Sequence, residues 1–199
     1  MKLYYTSGAC SLSPHIVLLE AGLPFELEAV DLATKETANG DDYYLINTKG
    51  AVPALQLDDG TVLTEGAVII QYLADKAPEK GLIPTAGTLA RYRVQEWLNF
   101  IAMDFQKNFT PIFNPAFAAS KEAAVDVLKK QCDYLDRQLV GKDWLMVTQF
   151  TIADVYLFVI VSWLGYAGID IAQWKLLSAW QKRVAARPAV QQAMKDEGL

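Results

Sequence analysis

The chain has 199 residues, 52% of them hydrophobic and 21% charged. That is enough apolar matter for one large domain or two small ones, and too much for a disordered chain. Net charge is −5 with a pI near 4.9, and Lys and Arg are scattered, which argues against a nucleic-acid or anionic-membrane surface. With one histidine, His15, and two distant cysteines, Cys10 and Cys132, neither a metal-ligand cluster nor a disulfide framework is expected.

Residues 2–6 alternate weakly and predict a strand, and Leu12, Ile16, Leu18 and Leu19 predict a helix over 12–21. Pro14 is tolerated in the first turn, and Gly22 followed by Pro24 ends the helix. A second strand follows over Phe25–Val30, then a polar segment from Ala33 to Asp42 and a short helical stretch near Tyr43–Ile46. Two apolar stretches around Asp59-Gly60 predict a hairpin, and Glu65-Gly66 opens a helix reaching about Ala77.

Pro78, Gly81 and Pro84 mark a linker over 78–87. Beyond it every pattern is helical: 88–109, 121–140, 152–167, 173–186 and a short piece after Pro188. The organisation is therefore a small mixed four-stranded sheet with helices over 1–80, then an all-α bundle over 88–199. The longest apolar run, Val155–Ile169, is 15 residues. A membrane span needs roughly 20, so it reads as a buried core helix. Met1–Tyr5 leads straight into turn residues, so no secretory leader is expected, and the chain reads as cytoplasmic with reduced thiols.

Three places carry chemistry. Cys10 stands at or near a helix N-terminus, where free N–H groups and the helix dipole favour a thiolate. A lone cysteine also fits as a small buried apolar residue, but the strand–turn–helix context favours a working site. Val52-Pro53 opens a strand, as an ordinary edge proline or as a cis bend. In a cis bend the Val52 backbone would face outward and pair with a peptide-like ligand. Glu65-Gly66 opens a helix whose free N–H groups suit a carboxylate, while Glu65 can accept from an ammonium group. A plain first-turn acid explains Glu65 equally well. Thr151 and Asp154 form a capping-box pattern flanked by Phe150 and Val155, a structural rather than catalytic feature.

Taken together, these sites resemble the thioredoxin-like N-terminal domain of the glutathione transferases, most closely the bacterial beta class. The residues that carry the resemblance are Gly8-Ala9-Cys10-Ser11-Leu12, Val52-Pro53-Ala54-Leu55, Leu63-Thr64-Glu65-Gly66, Glu96-Trp97-Leu98-Asn99 and Phe150-Thr151-Ile152-Ala153-Asp154. The resemblance spans the whole chain. It implies a homodimer that binds glutathione as co-substrate, needs no metal, and acts on a small-molecule electrophile.

By the same resemblance, Cys10 lies beside the glutathione sulfur and is able to form a mixed disulfide with it. Lys35 reaches the glycine carboxylate, Val52 holds the cysteinyl backbone, and Glu65 and Gly66 hold the γ-glutamyl head. Asn99, Gln106 and Lys107 border the sulfur side. Where the class usually has His-Lys, this chain has Gln106-Lys107, and a glutamine cannot serve as a general base. Phe105, Phe109, Phe113 and Phe117 line the electrophile or simply pack the core. Thiol–disulfide exchange at Cys10 and ligand binding with little turnover are the rival activities.

Overall fold

A computed structural model describes all residues, Met1–Leu199, as two compact units: Met1–Ile83 with Arg187–Leu199, and Pro84–Ala186.

The first unit is built on strands β1 (Lys2–Tyr5), β2 (Glu26–Asp31), β3 (Glu36–Thr37), β4 (Ala54–Gln56) and β5 (Val62–Thr64), in sheet order β3-β2-β1-β4-β5. β1 and β2 are parallel and the other pairs antiparallel, so the sheet is mixed. It has five strands, not the four expected. β3 is two residues long and polar, so its Val30–Thr37 and Asp31–Glu36 pairing leaves no apolar alternation to read. The β4–β5 turn follows its sequence signal: Leu57 N–H donates to Thr61 C=O at 2.8 Å, and Thr61 N–H to the Asp59 carboxylate at 2.9 Å.

Helices α1 (Leu12–Ala21) and α2 (Gly66–Asp75) pack on each other. Gly22 closes α1 at φ 67°, a left-handed conformation that glycine adopts without a Cβ clash. A last helix, numbered α8 below (Pro188–Asp196), packs on α1. The sequence reading assigned all of 88–199 to the helical domain, and here the structure differs. Arg187 makes a bidentate pair with Glu20 (2.6 and 2.9 Å), and Glu197 pairs with buried His15, so residues 187–199 belong to the first unit.

The second unit holds α3 (Leu89–Asn99), a π-helical turn over Phe100–Phe105, a 3-10 turn over Gln106–Phe109, the short α4 (Thr110–Phe113), α5 (Lys121–Gln138), α6 (Ile152–Ser162) and α7 (Lys175–Ala185). The stretch expected as one helix over 88–109 is therefore interrupted after Asn99. In α6 only Ser162 is not buried, as its continuous apolar run requires.

The Asp154 carboxylate ties this unit together. It accepts from Thr151 N–H (3.0 Å) at the helix start, Leu145 N–H (2.9 Å) and the Trp180 indole (3.0 Å) on α7. Burial pushes the Asp154 carboxyl upward, against the pull of those bonds. No helix of the chain is long and apolar enough to cross a membrane.

Candidate active site

In the first unit the β1–α1 connection is a tight turn. Gly8 adopts φ 70°, and Ala9 N–H donates to Thr6 C=O at 3.0 Å. Ser11 precedes α1, but its hydroxyl does not cap that helix. It accepts from Thr6 N–H (3.1 Å) and donates to Thr6 C=O (3.2 Å), locking the turn that presents Cys10. Cys10 is half-buried, and its thiol donates to the Val52 carbonyl at 3.3 Å. A carbonyl can accept from a thiol but not from a thiolate, so this contact belongs to the protonated form.

The Val52–Pro53 bond is cis, and Pro53 lies beside Gly66. A Cβ on Gly66 would come within 3.6 Å of the Pro53 ring, an ordinary contact, so the helix start is close without being crowded. The Val52 side chain packs into a small core with Tyr4, Val30, Tyr43 and Ala54. The Tyr43 hydroxyl (2.9 Å) and the Asn47 amide (2.7 Å) both donate to the Ala51 carbonyl and fix the segment leading into Val52. Burial pushes the Tyr43 phenol up to about 12, so it remains a donor at neutral pH.

Glu65 is not in the first turn of α2 but just before it, at φ 70° and ψ 108°. A residue with a Cβ seldom adopts that backbone, and such strain gathers at binding and catalytic sites. Its carbonyl accepts from Val68 and Ile69 N–H, both at 2.9 Å, while its side chain points away and pairs with Lys49. Lys35 also has a positive φ, 61°, and its ammonium donates to the Gly50 carbonyl at 2.8 Å. Two of the chain's three non-glycine residues at positive φ are thus candidate ligand residues, the third being Val147. The structure brings Cys10, Val52, Pro53 and Gly66 into one neighbourhood of the first unit.

Asn99, Gln106 and Lys107 belong to the second unit. The Asn99 amide donates to Gln95 C=O one turn back (3.1 Å), and Asn99 lines a groove of about 840 Å³ with Trp97, Phe100, Met103 and Tyr134. Gln106 accepts from the Tyr156 hydroxyl, and Lys107 is exposed. The phenylalanine set divides. Phe105 and Phe109 are core, whereas Phe113 and Phe117 are about half exposed, at 49% and 51%. Phe113 forms an aromatic patch with Trp163 (5.4 Å) and Tyr166 (5.6 Å).

Sequence reasoning missed Lys49, Tyr43, Trp163 and Tyr166. Lys49 and Tyr43 meet Glu65 and Val52 in the first unit, and Trp163 and Tyr166 meet Phe113 in the second, through contacts that no local pattern announces.

Residues 8–76 match the glutathione S-transferase N-terminal domain, and residues 100–188 the glutathione S-transferase C-terminal domain. Over its full length the chain is 44% identical to the glutathione S-transferase GstA of Escherichia coli O157:H7, with all of both proteins covered. The chain belongs to the glutathione S-transferase family. Glutathione transferase is the enzyme class that goes with it.

The likeness holds in three dimensions. A ternary complex of BphK, a bacterial glutathione S-transferase, superposes with a TM-score of 0.98 at 52% identity, covering 100% of both chains. A sphingomonad glutathione S-transferase complexed with glutathione gives 0.96 at 45%, and a bacterial beta-class transferase from Sphingomonas chungbukensis 0.97 at 44%, each with full coverage of both chains. The beta-class resemblance read from the motifs therefore stands.

Proposed function

We propose that this transferase binds glutathione in the cradle of its first unit and joins the glutathione sulfur to hydrophobic electrophiles. The observation that carries this reading is the hydrogen bond from the Cys10 thiol to Val52, beside the start of α2 at Gly66. Val52 is ready to bracket the cysteinyl backbone of the tripeptide. Glu65 accepts from the γ-glutamyl ammonium, displacing Lys49, and the N-terminus of α2 receives the adjoining carboxylate. Lys35 serves the glycine carboxylate. A ligand N–H that takes the Val52 carbonyl also releases the Cys10 thiol from it.

In conjugation the glutathione thiolate attacks an electrophilic carbon. A carbon–sulfur bond forms as the bond to the leaving group breaks, and the leaving group departs with the electron pair. Gln106 cannot remove the sulfur proton, so it acts as a hydrogen-bonding neighbour held by Tyr156, with Asn99 and Lys107 as polar companions. The aromatic patch of exposed Phe113 and Tyr166 with buried Trp163 receives the apolar part of the electrophile.

A second activity is favoured by the accessibility of Cys10. As thiolate it attacks the disulfide of oxidised glutathione, forms a Cys10–glutathione mixed disulfide and releases one glutathione thiolate. The working form is proposed to be a cytoplasmic homodimer. The exposed apolar side chains of Leu45 and Val68 support self-association and are checked by light scattering.

The test is to measure three things on one preparation: conjugation of an aromatic halide, reduction of a mixed disulfide, and glutathione binding. Turnover of the halide supports the transferase reading. Glutathione binding with no turnover of either substrate makes the chain a ligand-binding protein and overturns it.

A further inference from the structure

Glu197 follows α8 and is buried, its side chain wholly so, although it is an acid. Its carboxylate faces two partners. Oε2 accepts from Gly8 N–H at 3.0 Å, and Oε1 lies 2.9 Å from His15 Nδ1 on α1. A carboxylate is an acceptor only, so Nδ1 carries the hydrogen. The Glu197 backbone carbonyl accepts from the Ser7 hydroxyl at 2.6 Å, and Leu199 packs 3.5 Å from where a Gly8 Cβ would stand. The turn before Cys10 is therefore held from two sides. Ser11 grips Thr6 on one, and Glu197 grips Ser7 and Gly8 on the other. Only Ala9 and Cys10 lie between the two grips.

Such an arrangement costs desolvation of a carboxylate and of a histidine whose Nε2 has no hydrogen-bond partner, its nearest acid being Asp196 at 3.7 Å. A buried hydrophobe would fill the space more cheaply. What the carboxylate adds is direction: one atom group fixes Gly8 N–H on the loop and His15 on α1 at once. We propose that Glu197 is a positioning residue for the Cys10 site. By fixing the left-handed turn at Gly8, it holds the thiol against Val52, where the glutathione sulfur arrives. This rests on the glutathione reading given above.

The test compares Glu197→Ala, Glu197→Gln and Ser7→Ala with the wild type in two readouts. The first is amide hydrogen exchange of residues 7–10 without ligand, which does not depend on glutathione. The second is the rate of Cys10 modification by oxidised glutathione divided by its rate with iodoacetamide, a reagent needing no bound pose. Dividing cancels any change in thiolate fraction. Buried Cys132 reports unfolding by becoming labelled.

Glu197→Ala should speed loop exchange and lower the ratio about tenfold, with Cys132 still protected. Glu197→Gln should stay within about twofold of wild type. Its amide oxygen still accepts from Gly8, and its NH₂ donates to His15 in the other tautomer. Ser7→Ala, at an exposed position, should loosen the loop more mildly and serves if Glu197→Ala does not fold. Lower melting temperatures with loop exchange and ratio unchanged would overturn the proposal, as would unchanged exchange in Ser7→Ala. A wild type that ignores oxidised glutathione refutes the thiol–disulfide exchange proposed for Cys10 instead, and amide exchange alone then decides the role of Glu197.

Discussion

The Cys10 thiol donates to the Val52 carbonyl at 3.3 Å, across 42 residues of chain. This bond joins the turn after β1 to the segment leading into β4, the place to which the proposed function brings a peptide-like ligand.

Cys10 should be the thiol that reacts. Burial pushes the Cys132 thiol up to about 12, so it remains protonated and shielded through any ordinary labelling pH. Brief incubation with oxidised glutathione should add one glutathione per chain, at Cys10, and Cys10→Ala should abolish both the adduct and disulfide reduction. Conjugation should survive in part, because there the attacking sulfur belongs to glutathione. Peptide mapping decides: an adduct on Cys132 would mean that the reactive thiol is misplaced.

Glu65→Gln should weaken glutathione binding by roughly 1.5–3 kcal/mol, through loss of one charged hydrogen bond. The melting temperature should hardly move, because Glu65 is 67% exposed and its pair with Lys49 is a surface pair worth little. Glu65→Ala should behave alike, since it keeps the same strained backbone. Calorimetry showing unchanged affinity would refute the role of Glu65.

Asp154→Ala should cost at least about 2 kcal/mol of stability, because it strips the cap of α6 and orphans the Leu145 N–H and the Trp180 indole. The pH dependence has a definite sign. Burial raises the folded-state pKa of Asp154 above its ordinary 3.8. Its contribution is therefore fully present below 3.8 and is lost as pH rises through the folded value. Denaturant melts should give a larger wild-type advantage over Asp154→Asn at pH 4 than at pH 8. The reverse trend would show that the donors to the carboxylate, Thr151 N–H, Leu145 N–H, the Trp180 indole and the Thr151 hydroxyl, outweigh desolvation.

Phe113→Ala should raise KM for an aromatic electrophile by up to about tenfold, the worth of one aromatic contact, while glutathione affinity holds. Steady-state kinetics at saturating glutathione would show it. An unchanged KM would mean that the patch with Trp163 and Tyr166 does not meet the electrophile.

The legible parts of the chain were those written in local pattern. α1 falls on 12–21 as its apolar spacing and Gly22 require, and the Asp59-Gly60 hairpin and the Thr151–Asp154 helix start follow their turn and cap chemistry. β3 was invisible because two polar residues pair only through backbone, and the break after Asn99 lies inside an unbroken helical periodicity. At the site, Cys10, Val52 and Glu65 stood out by residue type and context. The attachment of residues 187–199 to the first unit did not, because Glu197 meets Gly8 only through the fold.

The most direct test of the central claim is an amide NMR titration of the wild-type protein with reduced glutathione. The account predicts that the largest shifts fall on Cys10, Val52, Glu65 and Gly66, with Lys35 following, and that they saturate with a single affinity. Saturable shifts centred elsewhere, or none at millimolar glutathione, would contradict it.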